Sequence, residues 1–250
     1  MAGTGRTTGR AAVAAGVLAA VVLAGGAAEA GTGTAGTGTA GTGTAAGTGP
    51  GAATSAGTFT GTGETGRKLP RNFLLYEARA RKPVRYPEEE KWTISDRHER
   101  LSLTPCGVGG SKDRSRVSTR TVIYTAPEFY QAEQVVIHRS ERAARAAMAD
   151  LRKRVGRCET DESGQVVTRG WTEKVRMGDQ AVRVIVQNYA RRDGGPAIGG
   201  QRGVVVREGR ALVSYMYAGE YSEVRASDFR KQLKDARKMA VKVCSLPGVC

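Results

Sequence analysis

The stretch that determines the fold reads QVVIHRSERAARAAMADLRKRVGRC and covers residues 134–158. It begins inside an apolar segment, residues 130–138, whose β-branched centre predicts a buried strand. Ser140 is the predicted N-cap of a helix, because its hydroxyl can accept a hydrogen bond from the first helical turn. Apolar residues at steps of three and four then give this helix one apolar face, and the helix is predicted to end at Gly156. The residues of this face are Ala144, Ala147, Met148, Leu151 and Val155.

The chain around this stretch supplies further strands and one more helix. Residues 117–125 are rich in β-branched residues and predict a preceding strand. Later extended segments are predicted at residues 165–176, 182–187, 203–207 and 211–217, with a glycine-containing hairpin turn at 208–210. Ser227 is the predicted cap of a final helix with an apolar seam of Phe229, Leu233, Ala236, Ala240 and Val243. These elements predict an α+β domain, in which both main helices pack on one face of an antiparallel β-sheet.

The first residues predict export from the cell. Arg6 and Arg10 precede an apolar stretch that closes on Ala28-Glu29-Ala30, which predicts a secretory signal peptide over residues 1–30. An uncleaved membrane anchor is the alternative. Residues 31–66 are almost entirely Gly, Thr and Ala, and they predict a disordered linker or, alternatively, a glycosylated stalk. Residues 67–250 are then the single folded domain of a secreted or wall-associated protein.

Four cysteines lie in the folded part: Cys106, Cys158, Cys244 and Cys250. An even number in an exported domain predicts two disulfides. The favoured pairing closes a local loop between Cys244 and Cys250, which leaves Cys106 with Cys158. The alternative joins Cys158 to Cys244, since both end predicted helices. No CxxC or HxxxH spacing occurs, so no metal site is expected.

Residues 134–158, MGDQAVRV at 177–184 and RGVVVREGRALVSYMY at 202–217 precede a terminal helix that ends in Cys. In this order they resemble the PknH-type extracellular sensor domain, a family of actinobacterial receptor kinases and of secreted or lipid-anchored relatives. The resemblance extends over about residues 101–244. It implies an α+β fold with disulfides, a cleft for an unidentified ligand and no enzyme activity. No cofactor is expected either. Because no kinase segment is seen, only a binding role is expected to carry over.

Charge gives the clearest indication of a partner. The formal net charge is +15, and much of the excess lies on the two helices. Lys231, Lys234, Lys238 and Lys242 recur at steps of three and four, so they share the helix face opposite the apolar seam. This row predicts binding to anionic cell-wall polymers or to an anionic membrane surface. The alternative is an ordinary solvated face, and nucleic acid is a less favoured partner for an exported domain.

Residues typical of catalysis are scarce. His98 and His138 are the only histidines, no GxSxG motif occurs, and the Gly-rich run at 194–200 is predicted to be a loop rather than a phosphate cradle. Two hypotheses remain, a non-catalytic ligand-binding module and an exported hydrolase with an unrecognised site. A buried histidine beside a serine or carboxylate would favour the hydrolase. An apolar cleft without titratable groups would favour the binding module.

Overall fold

One antiparallel β-sheet organises the part of the chain that the computed structural model describes, residues 68–97, 115–161 and 164–250. Eight strands make up the described sheet, in the order β1-β2-β3-β8-β7-β6-β5-β4. In chain order the elements are α1 Glu77–Ala80, β1 Lys91–Ser95, β2 Arg116–Ala126, β3 Phe129–His138, α2 Glu141–Val155, β4 Glu159–Asp161, β5 Val166–Val175, β6 Gln180–Ala190, β7 Pro196–Glu208, β8 Ala211–Ala218, a 3-10 helix Ala226–Phe229, and α3 Arg230–Val243.

Two meanders meet at the centre of this sheet. β1 to β3 form the first, and β4 to β8 form the second, which starts at the far edge and returns strand by strand. α2 connects them, and β8 pairs antiparallel with β3, with Gln134 opposite Ser214. The predicted antiparallel α+β architecture is therefore confirmed.

The two long helices lie on opposite faces of the sheet, so the prediction that both pack on one face is wrong. α2 covers Val136 of β3, whereas α3 covers its neighbours Val135 and Ile137. All three residues are buried. Because successive side chains of a strand point to opposite faces, such a continuous buried run needs cover on both sides. The basic outer surfaces of the two helices consequently face in opposite directions.

The two predicted helix caps differ in outcome. Ser140 caps α2, since its Oγ accepts a hydrogen bond from the backbone N–H of Ala143 at 3.2 Å. Ser227 does not cap α3, because it lies inside the 3-10 helix that leads into α3. Asp228 acts at this turn instead and accepts a hydrogen bond from the backbone N–H of Arg225 at 2.9 Å. The short side chain that caps here therefore reaches back from within the turn.

The glycine-rich run at residues 194–200 is not the loop that the sequence predicts. β7 begins at Pro196, so most of the run belongs to a strand. The pairing of β7 with β6 shifts register beside Gln187, which faces Gly200. Gly200 has a φ of +134°, a conformation that glycine adopts readily. The glycines thus permit a bulge within a long hairpin.

Cys244 and Cys250 form a disulfide, as the favoured pairing predicts. The alternative bond between Cys158 and Cys244 is therefore wrong. Cys106 lies outside the described residues, so its bond to Cys158 stays a prediction, which peptide mapping of the oxidised protein can check.

Within the described ranges, no helix is both long and apolar enough to cross a bilayer. The predicted signal peptide (residues 1–30), the predicted linker (residues 31–66) and His98 lie outside those ranges.

Candidate ligand-binding cleft

A cleft of about 270 Å³ opens at one end of the sheet, on the face that α3 covers. Three parts of the chain enclose it. The first is residues 68–70, at the start of a segment that we call the strap (residues 68–76). The second is the start of β2 and the end of β3 together with the β7–β8 hairpin, and the third is the C-terminal loop (residues 245–250). The described lining residues are Lys68, Leu69, Pro70, Val117, Ser118, Ile137, Arg139, Arg210, Leu246, Pro247 and Val249.

The described lining combines an apolar floor with basic groups. Lys68, Arg139 and Arg210 are cations, Ser118 adds one hydroxyl group, and the other described lining residues are apolar. No carboxylate occurs among them. The cleft volume is just below the range of roughly 300–1,000 Å³ that is typical of small-molecule sites. The arrangement suits a small ligand that combines apolar surface with negative charge.

A buried carboxylate fastens the strap to the sheet. Glu133, in the middle of β3, is 0% exposed. It accepts hydrogen bonds from the backbone N–H groups of Leu75 (2.9 Å) and Tyr76 (2.6 Å) and from the hydroxyl of Tyr215 (2.6 Å). Burial raises the pKa of Glu133 to about 7, although the three hydrogen bonds favour the charged form. The position of the strap therefore depends on a carboxylate that sequence analysis did not single out.

This carboxylate predicts a pH dependence of stability. Its pKa of about 7 in the folded protein lies above the ordinary value of 4.5, so the folded state binds the proton more tightly. The resulting stabilisation is fully present below about pH 4.5 and is lost as pH rises through about 7. We expect Glu133 to add up to about 3 kcal/mol to the free energy of unfolding between about pH 8 and pH 5, at about 1.4 kcal/mol per pKa unit.

Urea unfolding at both pH values checks this expectation on the wild type and on Glu133→Gln, which cannot titrate at this position. The difference between the two proteins isolates the contribution of this group from that of other carboxylates. An equally steep pH dependence in both proteins would contradict the assignment.

A buried arginine holds the other end of the strap. Arg120 of β2 donates hydrogen bonds to the backbone carbonyl of Pro70 (2.5 Å) and to the carboxylate of Asp96 (2.5 and 2.9 Å). It also lies 3.3 Å from Glu77, which is fully buried and accepts a hydrogen bond from the backbone N–H of Asn72 at 2.7 Å. Charged hydrogen bonds of this kind are stronger than neutral ones. Arg120 therefore positions the strap residues that line the cleft.

The C-terminal loop packs closely on the β7–β8 hairpin. The backbone N–H of Arg210 donates a hydrogen bond to the carbonyl of Val249 at 2.9 Å. Gly209 lies under the same carbonyl with a φ of +52°, and a Cβ atom there would be 2.0 Å from the Val249 oxygen. Only glycine fits this approach. The hairpin tip and the loop thus form one wall of the cleft.

The predicted anion-binding row, Lys231, Lys234, Lys238 and Lys242, divides into two settings on α3. Lys234 and Lys238 are exposed. The Nζ atom of Lys231 instead donates hydrogen bonds within the protein, to the Asp235 carboxylate at 2.5 Å and to the Tyr76 hydroxyl at 3.0 Å. That hydroxyl also donates a hydrogen bond to Asp235 at 2.8 Å. Burial raises the pKa of Tyr76, so its phenol stays neutral and can donate this bond.

Lys242 fixes the strap. Its Nζ atom donates a hydrogen bond to the backbone carbonyl of Phe73 at 2.5 Å and lies 4.9 Å from the centre of the Phe73 ring. The solvent-facing charge of α3 consequently comes from Lys234 and Lys238 together with the exposed Arg230 and Arg237. Anion binding by this face stays a prediction.

The described histidine forms a buried pair with a serine, the arrangement that would favour a hydrolase. Ser115 Oγ lies 2.8 Å from His138 Nδ1. In Ser-His-Asp hydrolases it is Nε2 that faces the nucleophile, whereas Nδ1 faces the carboxylate. Since neighbouring strand residues point to opposite faces, His138 also lies on the other side of the sheet from Ile137, which lines the cleft. The pair is thus a buried polar contact away from the cleft.

Comparisons with known proteins place this chain in no family. No family model matches it, and no curated protein matches it significantly. Among solved structures it is similar to the extracellular domain of PknH from Mycobacterium tuberculosis, with 12% sequence identity and a TM-score of 0.40. The alignment covers 72% of this chain and 97% of that domain. At this identity and TM-score no property of that domain is transferred, and the resemblance seen in the sequence remains a prediction.

Proposed function

We propose that the chain is a non-catalytic, exported ligand-binding domain and that the cleft between the strap and the C-terminal loop is its ligand site. The observation that carries the proposal is the lining of that cleft. An apolar floor with a few polar groups at the edge is typical of small-molecule sites. The strap is fixed to the sheet by buried charges, so the site is already formed before a ligand arrives.

The chemistry of the lining supports binding rather than catalysis. General acid–base catalysis needs a group that exchanges a proton near neutral pH, most often histidine or a carboxylate. The described lining offers lysine, arginine and one serine. His138 faces away from the cleft, and Glu133 is enclosed by three donors on the strap and on β8. A hydrolase would require its acid and base to be supplied from elsewhere.

Blocking the cleft is expected to abolish binding of a small apolar probe. N-phenyl-1-naphthylamine is neutral and fluoresces strongly in apolar surroundings, so its titration reports the cleft without relying on charge. Val117 lies half-buried in the lining, and Val117→Trp should fill the space and reduce the saturable fluorescence at least tenfold. Ile198→Trp is the matched control, because Ile198 is 69% exposed and lies away from the cleft. Equal binding by both variants would contradict the proposed site.

We further propose that the exposed basic face of α3 holds the protein on anionic envelope material. Lys234→Glu with Lys238→Glu reverses two of the four charges of α3 that face water, so retention on vesicles of phosphatidylglycerol and phosphatidylcholine should fall severalfold at low salt. Binding by the wild type should weaken steadily as salt rises from about 0.05 M to about 0.5 M. Lys231 and Lys242 are left intact because both contact the strap.

The matched control reverses two charges on the opposite face of the sheet, Arg145→Glu with Lys153→Glu on α2, where both residues are exposed. Sedimentation with the vesicles measures retention. Since a flat surface can meet only one face of the sheet at a time, the control should leave retention unchanged. Equal losses in both double variants would assign the effect to net charge rather than to the face of α3.

A further inference from the structure

We infer that the ligand of this cleft is a single-chain amphiphile whose anionic head group, a carboxylate or a phosphate, lies between Lys68 and Arg139. The inference rests on the proposed function, because it names the class of ligand for the same cleft. Four features carry it: the apolar floor, the small volume, the cations at the mouth, and the scarcity of polar groups inside.

The floor is built for apolar contact. Ile137, Leu69 and Val249 are buried members of the main core, and Val117 and Leu246 pack against it. A methylene group takes about the space of a water molecule, whose share of liquid volume is about 30 Å³. The volume of about 270 Å³ therefore holds on the order of nine such groups. One medium-length alkyl chain fits, whereas two such chains would exceed the space.

Two of the three cations of the lining, Lys68 and Arg139, occupy the mouth, whereas Arg210 is half-buried. Lys68 and Arg139 are exposed and come from the two sides of the cleft, the strap and the end of β3. Neither forms a salt bridge with a carboxylate among the described residues. Other cations near the strap behave differently, since Arg120 pairs with Asp96 and Lys231 pairs with Asp235. Lys68 lies near enough to Asp96 to help lower the pKa of that carboxyl group, but the hydrogen bonds of Asp96 go to Arg120. The charges of Lys68 and Arg139 can therefore also act on an anionic group at the entrance.

The interior disfavours sugars, nucleotides and peptides. A ligand of these classes carries many donors and acceptors, and each one costs free energy when it is buried without a partner. The described lining offers only the Ser118 hydroxyl besides its cations. An alkyl chain needs no such partner, and its burial is favourable in proportion to the area removed from water. The match therefore favours an amphiphile over a polar metabolite.

Displacement of N-phenyl-1-naphthylamine from the full chain tests the inference with four ligands of equal chain length, each below its micelle-forming concentration. We expect decanoate and decyl phosphate to displace the probe at lower concentration than neutral decanol, and decyltrimethylammonium to be weakest. The tighter of the two anions identifies the head group. Lys68→Gln with Arg139→Gln should weaken the anions about three- to tenfold and leave decanol unchanged. Arg145→Gln, on the opposite face of the sheet, should change nothing.

The outcomes separate this inference from the proposed function. Decanol that binds as tightly as decanoate, or anions unaffected by the double variant, would overturn the anionic head group while the cleft remains a ligand site. Failure of all four ligands to displace a bound probe would overturn the inference that the ligand is a single-chain amphiphile. Failure of the probe itself to bind, in a protein that unfolds cooperatively, would overturn the ligand site as well.

Discussion

Replacing Glu133 by alanine is expected to lower the free energy of unfolding by about 3 kcal/mol or more. The substitution leaves three donors without an acceptor, namely the backbone N–H groups of half-buried Leu75 and buried Tyr76 and the buried hydroxyl of Tyr215. Each unsatisfied buried donor costs about 1–3 kcal/mol. Alanine also removes the unfavourable free energy of burying the Glu133 carboxylate, which offsets part of the cost of the unsatisfied donors. The strap should detach, and binding of the neutral probe should fall with it.

Two control variants accompany Glu133→Ala, and urea unfolding measures the stability of all three. The dependence of the unfolding free energy on urea concentration should be the same in each variant. Glu89→Ala removes an exposed carboxylate and should change stability by no more than about 0.5 kcal/mol. Tyr215→Phe removes one of the three donors and keeps the carboxylate, so it should be destabilising by about 1–1.5 kcal/mol. If Glu133→Ala proved as mild as Glu89→Ala, the carboxylate would not be what holds the strap.

Replacing Gly209 by alanine is expected to lower the free energy of unfolding by about 3–5 kcal/mol and to open the cleft. Alanine with a φ of +52° is strained by about 1–2 kcal/mol. Its Cβ would also lie 2.0 Å from the Val249 carbonyl oxygen, and since that oxygen belongs to the backbone, the C-terminal loop must move away. Displacement of the loop exposes the buried Val249 side chain and breaks the hydrogen bond from Arg210. These two losses account for the rest of the expected destabilisation.

Gly248→Ala is the matched control for the close approach. Gly248 lies in the same loop with a φ of +70°, and nothing lies within 4 Å of the position of its Cβ. The backbone strain is comparable, so this variant should be destabilising by only about 1–2 kcal/mol and should keep probe binding. Thermal or urea unfolding together with probe titration measures both effects. Equal losses from the two substitutions would show that strain alone acts at Gly209.

The local structure could be predicted largely from sequence because its signals are local. β-branched runs, a serine before an amphipathic pattern and a glycine-centred turn place β3, α2, β8 and the turn between β7 and β8 close to their observed bounds, whereas β7 begins seven residues earlier than predicted. The prediction that was wrong concerned which face of the sheet each helix covers. Val135, Val136 and Ile137 read as one buried centre, yet a strand with three consecutive apolar residues is buried on both faces. That pattern already indicated helices on opposite sides.

The cleft was harder to predict because distant residues build it. The strap has no apolar periodicity, and its anchors come from elsewhere in the sequence, as Lys242 contacts Phe73 across 169 positions. One contact had a local signal: Lys231 and Asp235 are four residues apart on a helix, a spacing that favours an ion pair. Glu133 within an apolar strand was a second signal, since a charge in a buried strand implies a partner.

A crystal structure of the full chain grown with decanoate tests the central claim most directly. We expect an alkyl chain against Ile137, Val117 and Leu246, with its carboxylate within hydrogen-bond distance of Arg139 or Lys68. The strap and the C-terminal loop should keep their positions, because both are anchored without a ligand. An unchanged cleft without bound ligand at a saturating decanoate concentration, or decanoate bound only at another surface, would contradict the claim.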